Sequence, residues 1–458
     1  MAGIGFELRK LLRNKSLLGM LRAYSFAGTI SSGPWLLTIS SMLAIGILGR
    51  DPSDATQQMV RFQVSVTYVI ATTLILTGGL QLGLSRFIAD RLFEKKPYLV
   101  LPNLLGAMTV TTVMSGAVGT VLGITLFREP LPYRVLMVTN FVTLSNIWIV
   151  VVVLSSLKAY RQVLMGFAIG CAIVVGAALS LQRFGVPGLL SGFLLGHAVL
   201  LFVLLGLVMR RYPGQGLVSF QFLRRSKMYP SLMMTGLLYN LAIWSDKFLF
   251  WWNPATSEHV VGPLRASMMY DIPIFLSYLS IVPGMSVFLV RIETDFVECY
   301  DAFYNAVRGG DTLANLERLK DRMVYVVRQG IYEIFKVQGL TVIVLLLTGR
   351  YLLAALGISQ GYLYLFYIDV IGAGMQVLLL AILNIFFYLD QRRITLGLSV
   401  MFLILNTVFT WVTQRLGPSY YGYGFALSML VTCLSGLWLL SSQLDSLEYE
   451  TFMMQRFS

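Results

Sequence analysis

The sequence predicts an all-α polytopic membrane protein of about 12 transmembrane helices in two six-helix lobes, and three observations carry that expectation. Apolar stretches long enough to cross a bilayer recur from residue 24 to residue 442. Mean hydropathy is +0.74 over 458 residues, which leaves no room for a soluble catalytic domain. Lys and Arg are unevenly shared between alternate connections. About 20 mostly apolar residues span the hydrocarbon layer, and only helices and closed barrels satisfy their backbone there. The uninterrupted apolar runs at 193–208 and 340–347 exclude the alternation of a barrel strand.

The predicted spans are 24–49, 61–85, 99–127, 133–156, 163–182, 187–209, 229–252, 267–290, 331–348, 361–388, 394–414 and 421–442. With the N-terminus inside, 25 of the 35 Lys and Arg fall in inner segments, 8 in outer ones and 2, Lys247 and Lys336, within spans. Basic flanks stay cytoplasmic, so both termini are expected there. The net charge of +13 is then the asymmetry of an inner-membrane protein facing anionic headgroups, and needs no nucleic acid. Cys171, Cys299 and Cys433 show no disulfide or metal spacing. Residues 1–23, with Ile4, Phe6, Leu8, Leu11 and Leu12 among Arg9, Lys10 and Arg13, read as a basic amphipathic helix on the inner leaflet rather than a cleaved signal.

The expected organisation is an N-terminal six-helix lobe at 24–210, a cytoplasmic linker at 211–228, a C-terminal lobe at 229–443 and a cytoplasmic tail at 444–458. Both halves open alike, with Arg22-Ala23-Tyr24, Gly28 and Trp35 against Lys227-Met228-Tyr229, Gly236 and Trp244. Twelve spans in two halves suit a transporter with its site between lobes. The longest hydrophilic stretch, 291–330, predicts two short amphipathic helices around Gly309-Gly310, either a docking platform or a solvated connector.

Ionisable groups within spans cost roughly 2.5–3.5 kcal/mol each, so they face a cavity or a partner. Asp246 and Lys247 are adjacent in span seven; neighbours on a helix point about 100° apart, so a contact of Lys247 with Asp271, or a shared polar surface, is expected. Asp369 lies about 12 Å inside span ten at ~1.5 Å per residue. These four and Asn240 are the candidates for a translocation path. Glu333 and Lys336 predict a local i,i+3 pair, and His197 either a proton relay or a helix-to-helix hydrogen bond. Asn140, Asn146, Asn384, Asn406 and Gln81 add polar lining or bridge helices. Pro34, Pro273 and Pro283 interrupt spans one and eight and are hinge candidates. Trp251, Trp252, Tyr420, Tyr421 and Tyr423 read as interfacial anchors.

A catalytic reading finds no P-loop, no zinc spacing and no nucleophile set; no outer loop exceeds about 15 residues. No enzyme activity, metal or cofactor is expected.

The opening Met1-Ala2-Gly3-Ile4-Gly5-Phe6-Glu7-Leu8-Arg9-Lys10-Leu11-Leu12-Arg13, with Leu21-Arg22-Ala23-Tyr24 and Ser32-Gly33-Pro34-Trp35, closely resembles the PelG family of inner-membrane transport proteins of the bacterial Pel exopolysaccharide system. Ser245-Asp246-Lys247-Phe248-Leu249 looks like a span-seven segment of the wider MATE/flippase-like superfamily. The resemblance implies a twelve-span plan and export of a partly deacetylated, N-acetylhexosamine-rich polymer for the biofilm matrix. It also implies a cytoplasmic glycosyltransferase, PelF, and membrane partners PelD, a cyclic-di-GMP receptor, and PelE. It supplies no site residues, and no cyclic-di-GMP site is visible in this chain. Acidic path residues would suit a polymer with some free amines. Two other readings stay open: a cation-coupled flippase of a lipid-linked or small substrate, titrating Asp369 or His197, and a non-transporting scaffold of a synthase.

Overall fold

The computed structural model describes residues 17–49, 55–156, 160–212, 216–224 and 227–447. The amphipathic helix expected at 1–23 and the tail at 444–458 thus lie largely outside the described residues. Fourteen α-helices are described: α1 Leu17–Leu48, α2 Ala55–Phe93, α3 Val100–Thr125, α4 Leu131–Ser156, α5 Tyr160–Leu181, α6 Gly185–Arg211, α7 Pro230–Trp252, α8 Met268–Tyr278, α9 Val282–Val290, α10 Val297–Gly309, α11 Leu313–Ala355, α12 Leu363–Tyr388, α13 Arg392–Leu416 and α14 Tyr423–Asp445. Among the described residues nine helical runs are long and apolar enough to cross a membrane, or ten if α1, broken at Pro34, counts as one span. The run Arg161–Arg211 is in fact a hairpin of two helices. Gly185, at φ +69°, turns the chain, and the Cβ positions of Gly192, Gly196 and Gly170 then meet Ala178, Val174 and Leu200. That antiparallel register brings backbones close, as small residues do where lipid supplies no hydrophobic drive between helices. The protein is a multi-pass helical membrane protein.

Two compact units are present. One is Gly33–Met268. In it α4 packs on α2, α3 and α6, and α7 lies on α2 where Gly236 would strike the Gly78 carbonyl oxygen at 2.2 Å with any Cβ. Asn140 Nδ2 donates to the Leu190 carbonyl and Asn146 Nδ2 to Thr112 Oγ1, so both asparagines bridge helices. His197 is buried, its Nδ1 2.9 Å from the Phe193 carbonyl. In the described part of the linker, Ser219 N–H donates to the Pro102 carbonyl and Gln221 N–H to Asn103 Oδ1.

One feature was not expected: an antiparallel hairpin of β1 Glu258–Val261 and β2 Leu264–Ala266. Its signal, Val260-Val261-Gly262-Pro263-Leu264, is present in the sequence, with Gly262 at φ +52° supplying the turn. Val261, Leu264 and Ala266 bury against Phe127 and Tyr133.

The second unit comprises the described parts of Met1–Ser32 and Met269–Ser458. Its centre is α12, 67% of whose apolar window is buried, against 17% for α11; α12 packs on α11 and α14. The start of α1 belongs here because Gly28 leaves room for Ser286 of α9. Around 291–330 the expected turn is present, with Gly310 left-handed at φ +67°. The second helix, however, is not short: α11 continues unbroken for 43 residues into span nine, because nothing after Leu313 breaks a helix. Between α9 and α10 the chain forms a π-helical turn, Arg291–Phe296.

Candidate functional site

The first group of predicted path residues lies on α7, in the unit Gly33–Met268. Asp246 and Lys247 are both fully buried. Lys247 Nζ stands 3.0 Å from Asp246 Oδ2 and donates to the Ile243 carbonyl at 2.9 Å. The expectation that helical neighbours cannot pair is therefore corrected. The four-carbon lysine stem curls back along the helix, bringing its ammonium level with the preceding carboxylate. The Trp244 ring lies 5.9 Å from that ammonium, a cation–π distance. Trp251, expected as an interfacial anchor, is 1% exposed and sits 4.5 Å from the Tyr68 ring; Trp252 is 64% exposed. Tyr421 is likewise buried rather than interfacial, at 7%. Asn240 donates to the Gly236 carbonyl and borders Gly78 of α2. Chemically this group is a buried ion pair with an aromatic ring beside its ammonium.

The second group belongs to the other unit. Asp369 on α12 is fully buried beneath Gly422, whose φ of +85° and whose Cβ position 3.0 Å from Asp369 Oδ1 both demand glycine. Asp271 is half-buried in the first turn of α8, where a carboxylate suits the positive end of the helix dipole. Pro273 lies inside α8; Pro283 opens α9 after a 3-10 turn at Leu279–Ile281. Gln338 of α11 reaches across to the Ser280 carbonyl at 3.0 Å, held close by Gly284.

A third cluster was missed. In the π turn, Arg291 grips Glu333 of α11 through Nε at 2.5 Å and Nη2 at 2.9 Å and also takes Asp295 at 2.7 Å. Glu333 thus pairs with Arg291 and not with Lys336, since a bidentate guanidinium outcompetes a flexible ammonium. Glu293, two residues on, accepts from Asn384 Nδ2 and from the Tyr388 hydroxyl of α12, both at 3.0 Å. On the Arg291 side of the turn a pocket of about 190 Å³ opens, lined by Arg291, Asp295, Arg322 and Tyr325 among others. Contacts across 42 and 91 residues leave no spacing for sequence reasoning to find. Among the described residues no three His, Cys, Asp or Glu gather as a metal site requires.

Comparison with known proteins gives the family and the fold in which these residues sit. The family model named PelG, "Putative exopolysaccharide Exporter (EPS-E)", matches residues 1–452. The chain belongs to the PelG family. Its function class is therefore that of a membrane exporter and not of an enzyme. No curated relative matches the chain. Among solved structures, this PelG-family chain is similar to a MOP superfamily transporter from Pyrococcus furiosus, with 14% identity, TM-score 0.63 and coverage of 98% of this chain and 99% of that one. It is similar also to a multidrug resistance MATE family transporter of the MOP superfamily in its outward-facing conformation, with 15% identity, TM-score 0.64 and coverage of 98% and 99%. A mutant of the Vibrio cholerae MATE transporter VcmN matches at 12% identity, TM-score 0.64 and coverage of 97% and 99%. At these identities the likeness establishes the fold, which is that of the MOP superfamily.

Proposed function

We propose that this chain translocates a Pel-type, N-acetylhexosamine-rich exopolysaccharide across the bacterial inner membrane, both termini cytoplasmic. The observation that carries the reading is the exporter-family match over residues 1–452. The MOP fold and the threefold cytoplasmic bias of Lys and Arg support it. On this reading the polymer comes from a cytoplasmic glycosyltransferase of the PelF type, with PelD and PelE as membrane partners. Asp246, Lys247, Asp271, Asp369 and Asn240 line the path or set its shape, and Pro34, Pro273 and Pro283 are where helices flex during transport.

The test is product location in producing cells carrying Asp369→Asn, an isosteric change that removes only charge, with membrane level and partner pull-down measured alongside. Polymer missing outside while protein and complex stay normal is the expected result. Unchanged secretion would turn Asp369 into packing and move weight to a scaffold role. The full burial of Asp369 favours one second reading, a cation-coupled flippase; export that collapses with the proton gradient would support it.

A further inference from the structure

We propose that α11, on the side of the membrane assigned to the cytoplasm by the Lys/Arg distribution, holds an anionic glycerophospholipid. Its phosphate sits between Arg328 and Lys336, and an acyl chain runs along the helix below. The proposal goes beyond the export reading and stands independently of it. It starts from a charge that the fold leaves over. Lys336 lies about 8 Å inside span nine at ~1.5 Å per residue, and it is exposed. Only 17% of the apolar window of α11 is buried, so exposure at this depth is exposure to lipid. An ammonium there pairs with an acid or snorkels towards the headgroups. The carboxylate one turn before it is taken: Glu333 accepts from Arg291 Nε and Nη2 and from Gln329 Nε2. Among the described residues Lys336 forms no ion pair.

The same face supplies the rest of a headgroup site. Arg328, Tyr332 and Lys336 recur every four residues, which sets them one above the other on the helix. Arg328 is 63% exposed at its side chain, and its partner among the described residues is the equally exposed Asp445 at 3.5 Å. A guanidinium carries five N–H donors, so most of them remain for a ligand. Tyr332, exposed between the two cations, adds a hydroxyl donor. Beyond Lys336 the face turns apolar, with Leu340 and Leu347 both exposed.

The order of these groups selects the ligand. Two cations and a hydroxyl at headgroup level, followed by an apolar strip running into the hydrocarbon, match a negative phosphate joined to acyl chains. Basic residues near the membrane surface favour lipids of net negative charge. A zwitterionic lipid brings its own ammonium, which competes for the phosphate. Free phosphate has no chain to cover Leu340 and Leu347. A second copy of the chain packed symmetrically on this face would bring its own Arg328 and Lys336 into it.

The experiment is native mass spectrometry of the full-length protein, transferred into mild detergent from vesicles of mixed phosphatidylglycerol and phosphatidylcholine. The wild type should keep phosphatidylglycerol in preference to phosphatidylcholine. Lys336→Met and Arg328→Gln should each lower that retention about fivefold, the size expected for one cation at a headgroup. Lys336→Arg should retain the lipid as the wild type does. So should Arg318→Gln, which removes the same charge from an exposed position nearer the start of α11. Should Lys336→Met fail to elute as a folded monodisperse species, Arg328→Gln decides, since it lies outside the hydrocarbon. Equal retention of the two lipids by the wild type, or unchanged retention in the folded variants, would overturn the site. So would a phosphate adduct in place of the lipid, or a two-chain mass that Lys336→Met abolishes.

Discussion

The Asp246–Lys247 pair on α7 and the Arg291–Glu293–Glu333 set around the π turn use the same side-chain chemistry in opposite settings. The first pair is 0–1% exposed at its side chains; in the second, Arg291 is 31% and Glu333 20% exposed. Full burial makes a charge pair a lock, because each ion's desolvation has to be offset inside the protein, in large part by its partner. Partial exposure makes it a positioning device, in which one acid is tied down and a neighbouring one is presented. The charges most conspicuous in the sequence are the least accessible in the fold, while Arg291 and Glu293 open a stretch that reads equally as a docking platform or a solvated connector.

The largest effect expected from breaking this contrast is Lys247→Met. It removes one partner of a buried ion pair, which costs about 3–5 kcal/mol. Thermal unfolding in detergent should show a large fall in Tm, recovered when Asp246→Leu is added. A single variant as stable as the wild type would show that the pair is not a lock. Next in size is Gly236→Ala, whose methyl would meet the Gly78 carbonyl oxygen and force α7 off α2, costing about 1–3 kcal/mol. Gly339→Ala is its control: no atom lies within 4 Å of that Cβ position, so the same melt should show no loss. Smaller again is Glu333→Gln, which weakens a half-exposed Arg291 grip by about 1 kcal/mol; a drop as large as that of Lys247→Met would erase the distinction between the regions. Smallest on stability is Glu293→Gln, expected within about 0.5 kcal/mol of wild type. A loss as large as that of Lys247→Met would make Glu293 part of the packing.

Much of the fold was legible because lipid enforces a simple code. Twenty-residue apolar runs, Pro34 and Pro283 at helix breaks, and Gly309-Gly310 at a turn all follow from local rules. The continuity of α11 was not legible: a charged amphipathic stretch and an apolar span differ in composition but share one helical backbone. The β-hairpin was overlooked because two short strands add little to an all-helical pattern, though Gly262-Pro263 marked the turn. Of the candidate residues, composition singled out Asp246, Lys247 and Asp369 as costly in lipid, but not that each is fully buried. The pairings of Arg291 with Glu333 and of Glu293 with Asn384 depend on tertiary contact between distant helices, so spacing alone could not show them.

The export reading stands on the polymer passing through this chain rather than through a partner that it scaffolds. Photo-crosslinking reads the route, with p-benzoylphenylalanine placed in polymer-producing cells at Asp271, a half-buried path candidate, and at Tyr351, which is 75% exposed on α11, as control. A polysaccharide adduct is expected from position 271 and none from position 351. No adduct at 271, or equal adducts at both positions, would take the polymer's route off this chain.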